Sequence, residues 1–94
     1  MEADDELREL RAAMDVCNRR LAAVLHERAR LARTIGAWKR QRGMALADPW
    51  REAAMLVQVG ELASTPGFDM HALQRIFAQV FTESRALVLR DLGP

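Results

Sequence analysis

The sequence predicts an all-α protein built from three helices, of which the first is very long. Apolar residues recur at spacings of three and four along most of the chain, which is the period of an amphipathic helix. No segment alternates with the period of two that is typical of a strand, and two short segments containing Gly, Pro or Ser divide the pattern into three. We expect a single helical domain over residues 1–94, since 94 residues is a usual domain length.

The first helix is expected from about residue 5 to about residue 41. This stretch contains no proline, and its first glycine is Gly36, which costs about 1 kcal/mol relative to alanine without ending the pattern. Gly43 is the expected stop. The apolar positions form a stripe of a/d type, here called the heptad seam, which is typical of a helix that packs along another helix. Its members are Leu7, Leu10, Met14, Cys17, Leu21, Val24, Leu31, Ile35 and Trp38.

Two shorter amphipathic helices follow. Asp48 is a favoured N-cap and Pro49 a favoured first helical residue, so the second helix is expected over about 49–63, before a breaker at 64–67. Asp69 is another N-cap candidate, and the third helix is expected over about 69–90. Its apolar stripe consists of Leu73, Ile76, Phe77, Val80, Phe81 and Leu87.

The length of the first helix predicts a second chain. About 37 helical residues extend roughly 55 Å, whereas a globule of this chain length is only about 32 Å across. Two short helices are too small to cover the whole heptad seam. We therefore expect an intertwined homodimer with two-fold symmetry. An extended coiled coil is the alternative, and it would leave the second and third helices undocked.

Composition argues against several classes of function. The 14 basic and 13 acidic residues give a net charge of +1, which does not favour nucleic-acid binding through bulk charge. The single Cys17 excludes an internal disulfide framework, and His26 and His71 lack the spacing of metal ligands. No apolar run approaches the roughly 18 residues of a membrane span, and the acidic N-terminus does not resemble a signal peptide. We expect a cytoplasmic protein that binds neither nucleic acid nor membrane.

The sequence also lacks the common motifs of catalysis. It contains no glycine-rich phosphate loop, no nucleophile elbow, no carboxylate dyad and no metal motif. An enzyme with this sequence would need little beyond positioned cations, and we expect no cofactor and no metal.

Three cations on the first helix are unusual in their placement. Arg28 falls in the heptad seam, where an unpaired buried charge costs several kcal/mol. Lys39 lies about 20° from Arg28 around the helix and roughly 16 Å along it, so both side chains could converge on a small dianion. Arg11 is about 25 Å before Arg28 and could reach the same ligand only from an antiparallel partner helix. An interior ion pair of Arg28 with Glu27 or Glu52 is the alternative.

The polar residues of the other two helices have ordinary explanations as well. Asp48, Arg51 and Glu52 fall within one turn, where an N-cap and a solvated first turn would account for them. Ser84 interrupts the apolar stripe of the third helix, where a small residue is often a packing choice.

An ordered set of polar residues runs through all three helices, and it is more specific than any single motif. This set resembles the polar residues of the all-helical chorismate mutases, and the resemblance covers about residues 7–90. The segments that contain or flank the set resemble the family as well, namely Leu10-Arg11, Met14-Asp15, Glu27-Arg28, Ile35-Gly36, the segment 48–52 and Ile76-Phe77. The members of the set are Arg11, Arg28, Lys39, Asp48, Arg51, Glu52 and Ser84.

The resemblance implies an intertwined homodimer that rearranges chorismate to prephenate without a cofactor. This reaction lies on the shikimate pathway, at the branch toward phenylalanine and tyrosine. The substrate is a dianion, and the resemblance implies that Arg28 and the Arg11 of the other chain hold its two carboxylates. Ser84 would support the binding of one of them.

The resemblance assigns the remaining residues to the other end of the substrate. Lys39 would reach a carboxylate and the ether oxygen whose bond to carbon breaks. Arg51 would lie near the carboxylate end, while Glu52 and the backbone around Asp48 would meet the ring hydroxyl. The catalytic set is therefore Lys39, Arg28, Arg11 and Glu52.

One position departs from the family's pattern. One turn after Ser84 the family usually carries Gln or Glu, which donates a second hydrogen bond to the ether oxygen, but here the residue is Val88. Arg85 is the nearest alternative donor. The departure leaves open a slow mutase, a mutase activated by a partner enzyme, and an isochorismate pyruvate lyase or amino-deoxychorismate mutase. A non-catalytic helical dimer module would leave Arg28 and Lys39 unexplained.

Overall fold

A computed structural model describes residues 2–93, which form three α-helices. These are α1 (Glu2–Gln41), α2 (Pro49–Gly60) and α3 (Met70–Leu92). No β-strand occurs among residues 2–93, and the prediction of an all-α fold with a long first helix is confirmed. Within the same residues, no helix has both the length and the apolar character that crossing a membrane would require.

The chain divides into two compact units, Met1–Leu31 and Ala32–Pro94. In the first unit α1 is the only element, and it begins three residues before the expected start because acidic side chains at 4–6 favour a helix N-terminus. Every residue of the heptad seam from Leu7 to Leu31 is exposed, with Leu10 at 68% and Met14 at 60%. Since an amphipathic helix gains most of its stability by burying its apolar face, this exposed surface is suited to packing against another helix.

The end of α1 belongs to the second unit and is fixed by Gly43. This glycine has φ of 66°, the left-handed conformation that favours glycine at a helix end. The Met44 N–H donates to the Lys39 carbonyl at 2.9 Å, and the Gly43 N–H donates to the Arg40 carbonyl at 3.2 Å. These two bonds form a Schellman motif, which places Lys39 in the last turn of α1.

The start of α2 follows from its first two residues. Asp48 is the N-cap, and its Oδ1 accepts a hydrogen bond from the Arg51 N–H at 3.0 Å. Pro49 occupies the first helical position, where its missing N–H leaves no bond unmade.

The end of α2 differs from the expected one, since the helix stops at Gly60 rather than near residue 63. Beyond it, the Leu62 N–H donates to the Val59 carbonyl at 2.9 Å and the Ala63 N–H donates to the Gly60 carbonyl at 3.3 Å. Bonds between residues three apart form a tighter turn than the α-helix. The backbone thus stays hydrogen-bonded to Ala63 after the α-helix has ended.

Helix α3 is capped at both ends and packs against α2. Asp69 Oδ1 accepts from the Ala72 N–H at 2.8 Å, and the Gly93 N–H donates to the Leu89 carbonyl at 2.9 Å. The core of the unit is apolar and includes a T-shaped ring pair, Phe77 and Phe81, with centroids 6.2 Å apart. The buried hydrophobic residues are Val59, Phe81 and Val88.

The C-terminal part of α1, within the second unit, lies against α3. Arg33 Nη2 is 2.7 Å from Asp91 Oδ2. One turn further along α1, the backbone of Gly36 is so close to α3 that a Cβ there would lie 2.9 Å from Val88 Cγ1 and 2.8 Å from Leu92 Cδ1. A glycine at 36 therefore permits the close approach of the two helices.

Candidate active site

Lys39 is a cation of the second unit that is available to bind an anionic ligand. Its side chain is half-buried in the last turn of α1, and among residues 2–93 it has no carboxylate or carbonyl partner. Because partial burial already removes some of the water around the ammonium, an anionic ligand would gain more from it than from a fully solvated lysine.

Lys39 and Ser84 both belong to the helix pair α1 and α3. Arg33 pairs with Asp91, and a Cβ at Gly36 would meet both Val88 and Leu92. Lys39 follows Gly36 by three residues and Ser84 precedes Val88 by four. Each predicted residue is thus about one helical turn from the contact of Gly36 with Val88.

Ser84 is half-buried, and its hydroxyl is engaged within its own helix. The Ser84 Oγ donates to the Val80 carbonyl at 2.8 Å, a common bond of serine to the residue four positions earlier. To donate to a carboxylate, the hydroxyl must rotate away from Val80.

The beginning of α2 supplies two further predicted residues. The carboxylate of Asp48 acts as the helix cap, so the ordinary explanation accounts for its side chain, and its carbonyl accepts from the Glu52 N–H at 3.1 Å. The Arg51 side chain is exposed and has no bonding partner within residues 2–93. Arg51 is thus a second available cation, at the N-terminal end of a helix that also favours anions.

Glu52 forms an ion pair that the sequence analysis did not predict. Arg85 Nη1 donates to Glu52 Oε1 and so joins the first turn of α2 to α3. From the sequence, Arg85 is an alternative donor to the substrate, whereas in the structure its guanidinium is bonded to Glu52. The two residues are 33 positions apart, and no sequence spacing signals their contact.

Val88 has a packing role in the structure. It is 8% exposed and lies against the backbone of Gly36. A branched apolar side chain at this position fills the space between α1 and α3 and offers no hydrogen bond.

The first unit carries the two remaining predicted residues. Arg11 is exposed and Arg28 is half-buried. They are separated by about 25 Å along the helix axis, so one small ligand cannot contact both within a single copy of this helix.

The charged groups described above suit a small anion better than a metal ion. Among residues 2–93, no three His, Cys, Asp or Glu side chains are grouped as metal ligands. The second unit instead offers Lys39 and Arg51 as cations and one carboxylate, Glu52, whose charge is opposed by Arg85. Such a set can hold carboxylates and accept one hydrogen bond from a ligand.

The fold and these groups define a helical protein whose second unit carries two cations, Lys39 and Arg51, without a partner among residues 2–93. In a comparison with protein families, residues 10–88 match the chorismate mutase type II family. This range contains every predicted site residue from Arg11 to Val88, and the chain belongs to the chorismate mutase type II family. A comparison with curated proteins gives no match.

Proposed function

We propose that the protein is a chorismate mutase, which converts chorismate to prephenate by a [3,3] rearrangement. The observation that carries the proposal is Lys39, a half-buried cation with no partner among residues 2–93, in a chain of this family. The rearrangement needs no nucleophile, no proton transfer and no cofactor. Positioned cations are sufficient for it.

The first task of the site is to hold a flexible dianion as a compact chair with its two reacting carbon ends close together. Holding reactants in such a geometry can supply a large part of a rate enhancement. Arg28 and the Arg11 of a second chain would bind the two carboxylates, since a guanidinium forms paired hydrogen bonds with a carboxylate. Ser84 would assist one of them after its hydroxyl has rotated away from the Val80 carbonyl.

The second task is to stabilise charge as the carbon–oxygen bond breaks. Negative charge grows on the ether oxygen in the transition state, and Lys39 would stabilise it there more than in bound chorismate. Arg51 would contribute near the carboxylate end. Glu52 and the backbone at Asp48 would accept from the ring hydroxyl.

We propose further that the working form is a homodimer. The exposed heptad seam of the first unit is a long apolar surface on a single helix, and a second copy of α1 has the matching pattern. In an antiparallel arrangement the second chain would also supply Arg11.

Val88 favours a second candidate, in which the chain is a weak mutase or acts on a relative of chorismate. Val88 has no donor and packs on Gly36, and the Arg85 guanidinium is held on Glu52. Lys39 is then the main donor to the ether oxygen. A partner enzyme that activates the mutase, or use of isochorismate or the amino analogue, would be consistent with this site.

The test is to incubate the purified protein with chorismate, follow the loss of its absorbance, and identify the product by chromatography. We expect prephenate. Lys39→Ala should lower kcat/KM by about 10² or more, as removal of a donor to a developing oxyanion does elsewhere.

The matched control is Arg40→Ala, which removes the neighbouring exposed cation of the same turn and should leave kcat/KM near the wild-type value. Equal losses in both variants, or a wild-type protein that does not convert chorismate to prephenate, would overturn the proposal.

A further inference from the structure

Arg85 is held in place at two points. Its Nη1 donates to Glu52 Oε1, and its Nη2 donates to Thr82 Oγ1 at 3.3 Å. The Thr82 hydroxyl in turn donates to the Ala78 carbonyl at 3.0 Å. The guanidinium is thus anchored to α3 through Thr82 while it reaches across to α2.

The negative charge of Glu52 is largely offset by neighbouring positive charge, and one of its two carboxylate oxygens has no hydrogen-bond partner among residues 2–93. Its side chain is 21% exposed, and Arg85 lies directly beside it. The carboxylate is also in the first turn of α2, where the helix N-terminus adds partial positive charge. Within residues 2–93, Oε1 has a bonding partner and Oε2 has none. Glu52 can therefore accept one more hydrogen bond, but it offers little net negative charge.

We propose that Arg85 determines specificity by making the site select a substrate with a ring hydroxyl over one with a ring ammonium. This inference rests on the proposed function, in which Glu52 accepts from the ring hydroxyl. A neutral hydroxyl needs only an acceptor. A protonated amine at the same ring position also needs a negative charge nearby, and Arg85 cancels that charge.

The exposure of Arg85 distinguishes a role in specificity from a purely structural role. The Arg85 side chain is 41% exposed, and ion pairs of such exposure contribute little to stability. Loss of the pair should therefore leave the fold in place. What it changes is the charge at the ring end of the bound substrate. The ammonium of the amine substrate responds to that charge, whereas the neutral hydroxyl keeps its acceptor in Glu52.

The experiment measures kcat/KM separately for chorismate and for the analogue that carries an amine in place of the ring hydroxyl. Four proteins are compared, namely wild type, Arg85→Gln, Arg85→Lys and the control Arg75→Met. The Arg85→Gln change keeps an amide donor for Glu52 but removes the charge, whereas Arg85→Lys keeps the charge. Arg75 is an exposed arginine of α3 with no bonding partner among residues 2–93.

We expect wild type to prefer chorismate. Arg85→Gln should shift the ratio of the two kcat/KM values toward the amine by about tenfold or more, because an unscreened Glu52 attracts the ammonium. Arg85→Lys and Arg75→Met should keep the wild-type ratio. A merely structural role of Arg85 would lower both kcat/KM values together.

An unchanged ratio in Arg85→Gln, with chorismate still converted, overturns this inference and leaves the proposed function standing. A wild-type protein that converts neither substrate overturns both. Should Arg85→Gln fail to fold by circular dichroism, Arg85→Met replaces it, and an unchanged ratio there counts against the inference in the same way.

Discussion

Val88 contributes to the packing of α1 on α3 and also occupies a position of the proposed active site. It is 8% exposed against Gly36, and the family resemblance places a hydrogen-bond donor at the same position. We expect Val88→Gln to raise kcat, by up to about 10²–10³, because the new bond to the ether oxygen strengthens toward the transition state. KM should change less than kcat. The larger polar side chain should also lower the free energy of unfolding by about 1–3 kcal/mol.

Steady-state kinetics on chorismate and urea unfolding measure these two effects. The control is Val88→Met, which has a similar size to glutamine but no donor. It should share the loss of stability without the gain in kcat. If kcat rises equally in both variants, the effect comes from size and the hydrogen bond is not its cause.

Single residues also show how far the site could be predicted. The N-cap role of Asp48 was recognisable because capping depends on residues three positions apart. Lys39 is predicted as a site residue because it shares a helix face with Arg28, and that role stays a prediction. The bond between Glu52 and Arg85 was not predicted, because it depends on how α2 crosses α3, and the local sequence does not encode that angle.

Gly36 is the residue that sets the distance between α1 and α3. At an exposed position in the interior of a helix, replacing glycine by alanine stabilises the helix by about 1 kcal/mol. Here the new methyl would lie 2.9 Å from Val88 Cγ1, and the stiff branched side chain of valine has little room to move. We expect the variant to lower the free energy of unfolding by about 1–3 kcal/mol, measured by urea unfolding.

A double-mutant cycle tests the cause. In a Val88→Ala background the same Gly36→Ala change should cost less, since the nearest branch of valine is gone and Leu92 Cδ1 is the end of a flexible side chain. Equal costs in the two backgrounds would show that contact with Val88 is not what excludes a side chain at 36.

The Arg33–Asp91 pair should make the packing of α1 on α3 sensitive to acid. Hydrogen bonds from Arg90, and then from Arg33, lower the pKa of Asp91 below its ordinary value of 3.8. A carboxyl group with a lowered pKa stabilises the fold above its unfolded pKa, and this contribution is lost as the pH falls through the folded pKa. We expect Asp91→Asn to reduce the midpoint of urea unfolding at pH 7 and to have no effect once the pH is well below 3.8.

Glu83→Gln is the matched control, since Glu83 is an exposed carboxylate of α3 with no partner within residues 2–93. The midpoint of urea unfolding of Glu83→Gln should differ little from that of wild type at every pH. If Asp91→Asn lowers the midpoint of urea unfolding by the same amount in acid as at pH 7, the charge of Asp91 is not the source of its contribution to stability.

The helices themselves show which parts of the fold are local. Caps and glycine stops mark the start of α2 and the end of α1, because each of these signals acts within a few residues. The end of α2 was placed too late, since the residues around Leu62 fit an α-helix and a tighter turn equally well. The contact of Gly36 with Val88 arises only when α1 and α3 come together.

For the molecule as a whole, the exposed heptad seam is the strongest argument for a second chain. An apolar stripe along one face of a long helix is stable in water when another helix covers it. Sedimentation at micromolar concentration should therefore give a mass about twice 10.6 kDa. An active monomer would contradict a site shared between chains.

The most direct test of a shared site is complementation between two inactive variants, Arg11→Ala and Lys39→Ala. The two proteins are mixed in equal amounts, unfolded and refolded together, and assayed for conversion of chorismate to prephenate. About half of the reassembled dimers should be mixed, and each mixed dimer has one site without either substitution, so about a quarter of the wild-type activity should return. Refolding each variant alone is the control and should restore none. A mixture that stays as inactive as its two components would contradict an active site formed by Lys39 of one chain and Arg11 of the other.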